Sequence, residues 1–150
     1  MLRWEDGKEY PLPQDFADML GWKELAAKVD KVYLELDDPA HTLVLCDNYG
    51  QAGAINFYSK YGIQAVSFNA DYINWFDLHK KYIHLIRVKN QSERKNELKV
   101  TSPFFKHSVT ADSVTNKYAR EYGATIFSFS GAKIDISPRL QEEINKVKSR

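Results

Sequence analysis

The sequence predicts an α/β domain with a three-layer, Rossmann-like arrangement: a mostly parallel sheet of about five strands with an antiparallel edge. Three observations lead to this class. A short apolar run ends at Cys46 and has the length of a buried strand. A helix-like segment and a second β-type run follow within about 30 residues, the length of a βαβ unit. Two later β-type runs lie too close together for a parallel crossover, so we expect antiparallel neighbours.

The composition is typical of one ordinary domain. Of the 150 residues, 43% are hydrophobic, which suffices for one core, and no linker divides the chain, so we predict a single domain over residues 1–150. The 21 basic and 20 acidic side chains nearly cancel, which argues against a nucleic-acid partner. No apolar run approaches the ~20 residues that cross a bilayer, so the chain by itself is predicted to be soluble. Cys46 lies within an apolar run and should be buried.

The N-terminal third begins with the polar lead "EDGKEYPLP", whose two prolines favour an extended, irregular conformation. A long helix is predicted from Asp15 to Leu36, because its apolar residues recur at spacings of three and four. The stretch Asp37-Asp38-Pro39 should end this helix. We read the two aspartates as a helix stop and not as an acid/base pair.

The predicted βαβ unit follows. Its first strand is "HTLVLCDN", its helix carries Ala52, Ala54, Ile55, Phe57 and Tyr58, and its second strand is "IQAVSFN". Gly62 is expected to be the left-handed glycine that ends the helix.

The remainder contains three more predicted strands and a C-terminal helix. "ADYINWFDL" is aromatic and irregular, "KYIHLIRVK" is a third strand, and "NQSERKNELK" is a solvated loop or a weak helix. "HSVTADSVT" and "ATIFSFSGAK" are predicted to pair in antiparallel fashion. The last helix should have Ser137 as N-cap and Pro138 as its first residue.

The polar crossing Asp47–Gln51 lies where open α/β sheets bind ligands, just beyond the carboxyl end of a strand. It has Gly50 and Gly53 but not the three glycines of a dinucleotide fingerprint, and no Walker-type lysine. A structural turn explains the same residues, since Asn48 tolerates an unusual backbone angle and Gly50 permits a turn. We keep a polar-ligand contact open beside it. The candidate ligand-binding mouth consists of Asn48, Tyr49, Gly50, Gln51, Tyr72, Asn74 and Trp75.

No pattern in the sequence indicates a catalytic residue, a metal site or a cofactor. The four histidines are scattered, with no pair spaced by four on a predicted helix. No serine with flanking glycines suggests acyl transfer. The aromatic residues Tyr72, Trp75 and Phe76 could stack on a sugar, pack against another domain, or belong to the core.

Three stretches together resemble a known family: "LPQDFADMLGWKELAAKVDKVYLEL", "LVLCDNYGQAGAINFYSKYGIQAVSFNADYINWF" and "ADSVTNKYAREYGATIFSFSGAK". In order and spacing they resemble the soluble C-terminal domain of bacterial membrane glycosyltransferases related to the dolichyl-phosphate-mannose protein mannosyltransferases. The most specific parts are Leu12-Pro13-Gln14 with Phe16-Ala17-Asp18-Met19 and Gly21-Trp22, then Asn48-Tyr49-Gly50 with Ala52-Gly53-Ala54, and Tyr118-Ala119-Arg120-Glu121. The segment Asn90 to Lys106 has no counterpart. The family often has a glutamate at the position of Gln51 and a Gly-His-Asn run at Phe68-Asn69-Ala70.

The resemblance implies an accessory, extracytoplasmic (periplasmic) domain of a longer membrane protein that transfers a sugar from a polyprenyl-phosphate donor. The catalytic groups of that family lie in its membrane part, so this chain would not be catalytic alone. Its implied partners are the membrane-embedded part of the same polypeptide and the lipid-linked sugar or acceptor. Two alternatives stay open: a free-standing Rossmann-like transferase that binds a nucleotide or S-adenosylmethionine at the Asp47–Gly53 turn, and a protein-interaction module.

Overall fold

The computed structural model describes residues 2–3, 9–10 and 14–150. The strands are β1 (Leu2–Arg3), β2 (Glu9–Tyr10), β3 (Thr42–Cys46), β4 (Val66–Ser67), β5 (His84–Lys89), β6 (Phe105–Ser113) and β7 (Thr125–Ala132). The helices are α1 (Gln14–Leu36), α2 (Tyr49–Tyr58), α3 (Glu97–Thr101) and α4 (Ser137–Lys148). Four short 3-10 turns connect them, at Pro39–His41, Ala70–Asn74, Gln91–Asn96 and Ser102–Phe104.

The main sheet is open and mixed, with strand order β4-β3-β5-β7-β6. Strands β4, β3 and β5 are parallel, and β7 runs antiparallel to both β5 and β6. A bulge at Ala111 interrupts the pairing of β6 with β7. The prediction of an α/β domain with about five strands and an antiparallel edge is therefore confirmed at the level of a mixed five-stranded sheet. Strands β1 and β2 form a separate antiparallel pair.

Alternating side chains of the sheet face two cores. One core joins α1 and α2 to the sheet, with Leu25, Val29, Ile55, Ile86 and Ile126 fully buried. The other lies on the opposite face and contains aromatic residues of β6 and β7 together with Ile136 and Leu140 at the start of α4. Cys46 is buried in the first core as predicted, and burial raises the pKa of its thiol, so it is not a reactive thiolate.

Most predicted elements are confirmed. Helix α1 ends at Leu36, and Asp37 adopts a positive φ of 50°, which stops the helix where Asp37-Asp38-Pro39 predicted. Strand β3, helix α2 and strand β4 form the parallel βαβ unit, although β4 has only two residues. The segment "NQSERKNELK" forms a 3-10 turn and the beginning of the short helix α3. Strands β6 and β7 are antiparallel neighbours.

Gly62 is not the glycine that ends α2. The helix ends at Tyr58, and Ser59 is extended, with ψ 138°. The Asp30 carboxylate of α1 accepts hydrogen bonds from the Ser59 hydroxyl (2.6 Å) and the Lys60 N–H (3.0 Å), and these bonds draw the chain out of the helix. Gly62 does have a positive φ of 66°, but in the turn that follows.

The start of α4 differs by one residue from the prediction. Ile136 is the N-cap, so Ser137 is the first helical residue and Pro138 the second. Ile136 is buried in the second core, and its burial fixes where the helix begins. The Ser137 hydroxyl donates to the Lys80 carbonyl (3.4 Å) and does not cap the helix.

Among the described helices, none combines the length and hydropathy that a membrane span requires. Of the predicted polar lead, only Glu9–Tyr10 is described, paired with Leu2–Arg3. Leu12 and Pro13, which belong to the family resemblance, lie outside the described residues.

Candidate functional site

The chain changes direction across the sheet at β3. After β3 it passes through α2 to β4 on one side, and then crosses to β5 on the other side. The carboxyl ends of β3 and β5 therefore flank a topological switch point, which is where open α/β sheets bind ligands. Asp47 follows β3 and Asn90 follows β5, and the Asp47 carboxylate accepts a hydrogen bond from the Asn90 N–H at this point.

Helix α2 carries the predicted residues Ala52 to Tyr58 and begins at Tyr49, because Asn48 and Gln51 form a capping box. The Asn48 Oδ1 atom accepts a hydrogen bond from the Gln51 N–H (2.9 Å). In return, Gln51 Oε1 accepts from the backbone N–H groups of Asp47 (3.0 Å) and Asn48 (3.4 Å). Asn48 is in ordinary extended conformation (φ −138°, ψ 164°), so its role is the cap and not an unusual angle.

The amide of Gln51 connects three parts of the chain. Gln51 is completely buried, and its Nε2 donates to Asn90 Oδ1 (2.8 Å) and to Glu121 Oε2 (3.0 Å). Asn48 Nδ2 also donates to Asn90 Oδ1 (3.2 Å). We call Asp47, Asn48, Gln51, Asn90 and Glu121 the Gln51 network. All four hydrogen-bonding positions of the Gln51 amide have partners, so its side chain is held in one orientation.

Asp47 anchors this network to β5. Its carboxylate contacts Arg87 (2.9 Å) and Lys89 (3.0 Å) and accepts a hydrogen bond from the Asn90 N–H (2.7 Å). Burial alone would raise the pKa of Asp47, but the Arg87 guanidinium, the Asn90 N–H and the Lys89 ammonium together lower it. Asp47 is therefore ionised and serves to fix the strand ends.

Glu121 is the one member of the network with a raised pKa. Burial is the main cause, and the negative charges of Asp18 and Asp47 add to it, while the hydrogen bond from Gln51 acts in the opposite direction. Beside Glu121 lies a small cleft of about 260 Å³ whose lining includes Asn90, Ser92 and Tyr122. Perturbed carboxyl groups beside a cleft are typical of functional sites, although structural networks also contain them.

Gly50 lies in the first turn of α2 and does not have a positive φ, so the predicted turn role is wrong. Its missing side chain allows α1 to approach: a Cβ atom built on Gly50 would lie 3.3 Å from the Trp22 ring. The glycine thus permits close packing of α1 on α2.

Helix α1 also contacts the loop that precedes β7. The Asp18 carboxylate accepts a hydrogen bond from the Arg120 N–H (2.9 Å) and pairs with its guanidinium (3.0 Å). Gly21 packs directly against Ala119, with no room for a Cβ atom at position 21. This loop is thereby held against both α1 and, through Glu121, the start of α2.

The aromatic residues of the candidate mouth are more exposed than the side chains of the Gln51 network. Tyr49 and Trp75 are largely exposed (62% and 64%), and Asn74 is also exposed. The rings of Tyr72 and Trp75 lie 5.5 Å apart, and the Tyr72 hydroxyl is close to Gly53, within 3.4 Å of where a Cβ would be.

The seven predicted site residues thus fall into two groups. One group, residues 48–51, lies at the start of α2, and the other, Tyr72, Asn74 and Trp75, lies in and just after the 3-10 turn Ala70–Asn74. Asn48, Gly50 and Gln51 lie together at the switch point, and Tyr72 packs on the next turn of α2. Trp75 lines another cleft, beside Thr42 and Leu43 at the beginning of β3.

Three residues of the network, Asp47, Asn90 and Glu121, were not among the predicted site residues, although Asp47 belongs to the polar crossing that the sequence analysis identified. Asn90 could have been found, because it follows β5 as Asp47 follows β3, and both carboxyl ends meet at one edge. Glu121 lies 70 positions from Gln51, and nothing in the local pattern links the two.

A second polar cluster forms at the opposite ends of β3 and β5. Asp38 contacts His41 Nδ1 (2.8 Å) and His84 Nε2 (3.1 Å). The hydrogen bond with His41 is the main reason that the pKa of Asp38 is lowered. Two of the scattered histidines are thus brought together, but no group of metal-ligating side chains suited to an ion occurs in the described part of the chain.

Among the described residues, the buried polar side chains of this site already satisfy one another, which is typical of a structural network. Comparison with protein-family models, curated proteins and solved structures finds no match to this chain.

Proposed function

We propose that this chain is the accessory, extracytoplasmic domain of a bacterial membrane-bound glycosyltransferase, of the kind related to the dolichyl-phosphate-mannose protein mannosyltransferases. It docks on the membrane-embedded part of the same polypeptide and helps to hold the acceptor or the polyprenyl-phosphate sugar there. The sugar transfer itself belongs to the membrane part. In this proposal the helices and mixed sheet are a variant of the three-layer Rossmann-like arrangement.

The observation that carries the proposal is the convergence of the family-like motifs. Gly21-Trp22, Asn48-Tyr49-Gly50 and Ala119-Arg120-Glu121 are far apart in the chain, yet they contact one another around the Gln51 network. If the members of a family share one packing unit, the residues that resemble the family are expected to lie together in the structure. The sequence resemblance alone does not require this contact.

The geometry also favours a supporting role over catalysis. The Gln51 network leaves no buried acceptor or donor without a partner among the described side chains. A fixed network of this kind provides a rigid base, while the exposed rings of Tyr49 and Trp75 can stack on a sugar or pack on the membrane part.

The test uses the full-length protein with Tyr49→Ala and Trp75→Ala combined. We expect glycosyl transfer to fall at least about tenfold, since each exposed aromatic contact contributes on the order of 1 kcal/mol. Val109→Ala, on the exposed edge strand β6, is the matched control and should retain activity. Unchanged transfer by the double variant, with normal folding, would remove Tyr49 and Trp75 from the mechanism.

The nucleotide or S-adenosylmethionine alternative is favoured by one observation, the location of Asn48 and Gln51 at the switch point. However, the capping box already occupies N–H groups that would cradle a phosphate. A ligand at 100 times its dissociation constant would add ~2.7 kcal/mol of stability. A clear thermal shift with a nucleotide or S-adenosylmethionine would favour this alternative over the accessory domain.

A further inference from the structure

An open groove of about 590 Å³ lies between α1 and the chain that leaves α2. Lys23, Ala27, Lys31 and Leu34 line one wall, and their spacing places them on one face of α1. Tyr58, Lys60 and Tyr61 line the other wall. We call this the Lys–Tyr groove. It shares no residue with the Gln51 network or the candidate mouth.

The apolar side chains of the groove are unusually exposed. Leu34 and Tyr61 are each 52% exposed. Phe57 adjoins the groove through its edge contact with Tyr58 (ring centroids 4.9 Å apart) and is 79% exposed. Several large apolar side chains exposed in one region are typical of a surface that binds a partner or a membrane.

The charge of the groove is positive. Lys23, Lys31 and Lys60 form no ion pair within the described part of the chain, and the Lys23 ammonium lies over the Tyr58 ring (5.7 Å). The one carboxylate that lines the groove is Asp30, which is buried and already accepts two hydrogen bonds. The net charge of the whole chain is only +1, so this positive charge is local.

We propose that the Lys–Tyr groove and Phe57 bind the surface of an anionic lipid bilayer. Lysines attract anionic headgroups, and aromatic rings favour the boundary between headgroups and acyl chains. Lysine stems can also extend along the apolar surface while their ammonium groups reach the phosphates. A free phosphate would satisfy the three lysines but would leave Phe57, Leu34 and Tyr61 in water. A bilayer accounts for both the charge and the rings.

The test is co-sedimentation of the chain with vesicles of neutral phosphatidylcholine, with and without 30 mol% phosphatidylglycerol, at low and high salt. We expect binding only to the anionic vesicles, and weaker binding at high salt. Because each lysine near such a surface contributes a factor of about five, Lys31→Gln with Lys60→Gln should lower the partition coefficient by about 25-fold. Phe57→Ser should lower it on the order of tenfold.

The matched control is Lys95→Gln with Lys99→Gln, two exposed lysines in the 3-10 turn and helix α3, outside the groove. This control should bind within about twofold of the unmodified chain. Absence of binding to anionic vesicles, or an equal loss in the control, would overturn the proposal. Binding that inorganic phosphate abolishes and that Phe57→Ser leaves unchanged would also overturn it, in favour of a simple anion site. None of these outcomes bears on Tyr49 and Trp75, so this proposal and the proposed function fail separately.

Discussion

The Gln51 network and the segment 70–75 hold their side chains in opposite ways. In the network, the completely buried side-chain amide of Gln51 forms hydrogen bonds with three parts of the chain. In segment 70–75, Asn74 and Trp75 are exposed, and the ring contact between Tyr72 and Trp75 is local. A substitution in the network therefore disturbs several elements, whereas a substitution at Trp75 disturbs few neighbours.

The two regions should therefore contribute to different properties, the network to stability and the exposed aromatic residues to recognition. Buried polar groups that lose a partner remain desolvated and cost free energy, so the network must remain intact. Exposed aromatic rings cost little to change in the isolated domain but can matter greatly when a partner covers them. We therefore expect stability measurements to detect the network and binding or transfer measurements to detect the aromatic residues.

The largest effect is expected for Gln51→Leu. This change removes the donor to the half-buried Glu121 carboxylate, one of the two donors to Asn90 Oδ1, and the acceptor that the Asp47 N–H shares with the Val88 carbonyl, so the free energy of unfolding should fall by about 3 kcal/mol. Urea denaturation monitored by circular dichroism measures it. Trp75→Ala is the matched variant in the other region and should change stability by less than about 0.5 kcal/mol. Similar losses in the two variants would contradict the comparison.

A pair of variants that moves the negative charge from position 121 to position 51 tests whether these two side chains stabilise each other. Gln51→Glu keeps the acceptor for the Asp47 N–H but places a second carboxylate beside Glu121, so it should cost about 2 kcal/mol. Adding Glu121→Gln restores a donor and acceptor pair of the same shape, and should recover most of the loss. A double variant as unstable as Gln51→Glu alone would show that the pairing of Gln51 with Glu121 contributes little.

The next effect is expected at Gly21, where α1 meets the loop that carries Glu121. An alanine here would overlap the Cβ of Ala119, and we expect a net loss of roughly 1–3 kcal/mol, although alanine favours a helix by about 1 kcal/mol. Thermal unfolding provides the measurement. Gly21→Ala with Ala119→Gly removes the overlap and should recover stability. If it does not, the close approach of the two segments is not the cause.

Glu24 provides a pH-dependent test of the same helix-to-loop contact. Burial would raise the pKa of Glu24, but hydrogen bonds from Lys28, Thr115 and Asn116 outweigh burial and lower the pKa to about 2. Since the pKa in the folded state lies below the unfolded value of 4.5, this stabilisation is complete above pH 4.5 and is lost as the pH falls toward 2.

Glu24→Gln should therefore lower the free energy of unfolding by about 1–2 kcal/mol at pH 7, and the difference should shrink as the pH falls from 4.5 to 2. Urea titrations at a series of pH values measure this. Glu35→Gln, at an exposed glutamate of the same helix, is the control and should change the stability by less than about 0.5 kcal/mol. A difference that stays constant with pH would contradict the role of the charge.

The sequence predicted the elements better than the contacts between them. Helix α1 and strands β3, β5, β6 and β7 follow from local periodicity and from stop signals such as Asp37, so they were found with small errors in their bounds, whereas β1 and β2 were not predicted and β4 is shorter than predicted. The convergence of Asp18, Gly21, Ala119 and Glu121 depends on how distant segments pack, and no local pattern encodes it. Gly50 is an example. The sequence shows a glycine at this position, but the residue that packs against it, Trp22, lies on another helix, so the sequence does not show this packing.

The smallest effect, and the most specific for the network, is expected for Glu121→Gln. The pKa of Glu121 is raised by burial and by the charges of Asp18 and Asp47. A carboxyl group with a raised pKa in the folded state opposes folding once it ionises, so its cost develops as the pH rises through and above its unfolded value of 4.5. The amide of glutamine still offers an acceptor to Gln51 but carries no charge.

We therefore expect a variant that matches the unmodified chain near pH 4 and is slightly more stable, by less than about 1 kcal/mol, at pH 7. Glu142→Gln, on an exposed face of α4, is the control and should change the stability by less than about 0.5 kcal/mol. A loss of stability at pH 7 would mean that the ionised carboxylate itself stabilises the fold, which would contradict the raised pKa of Glu121.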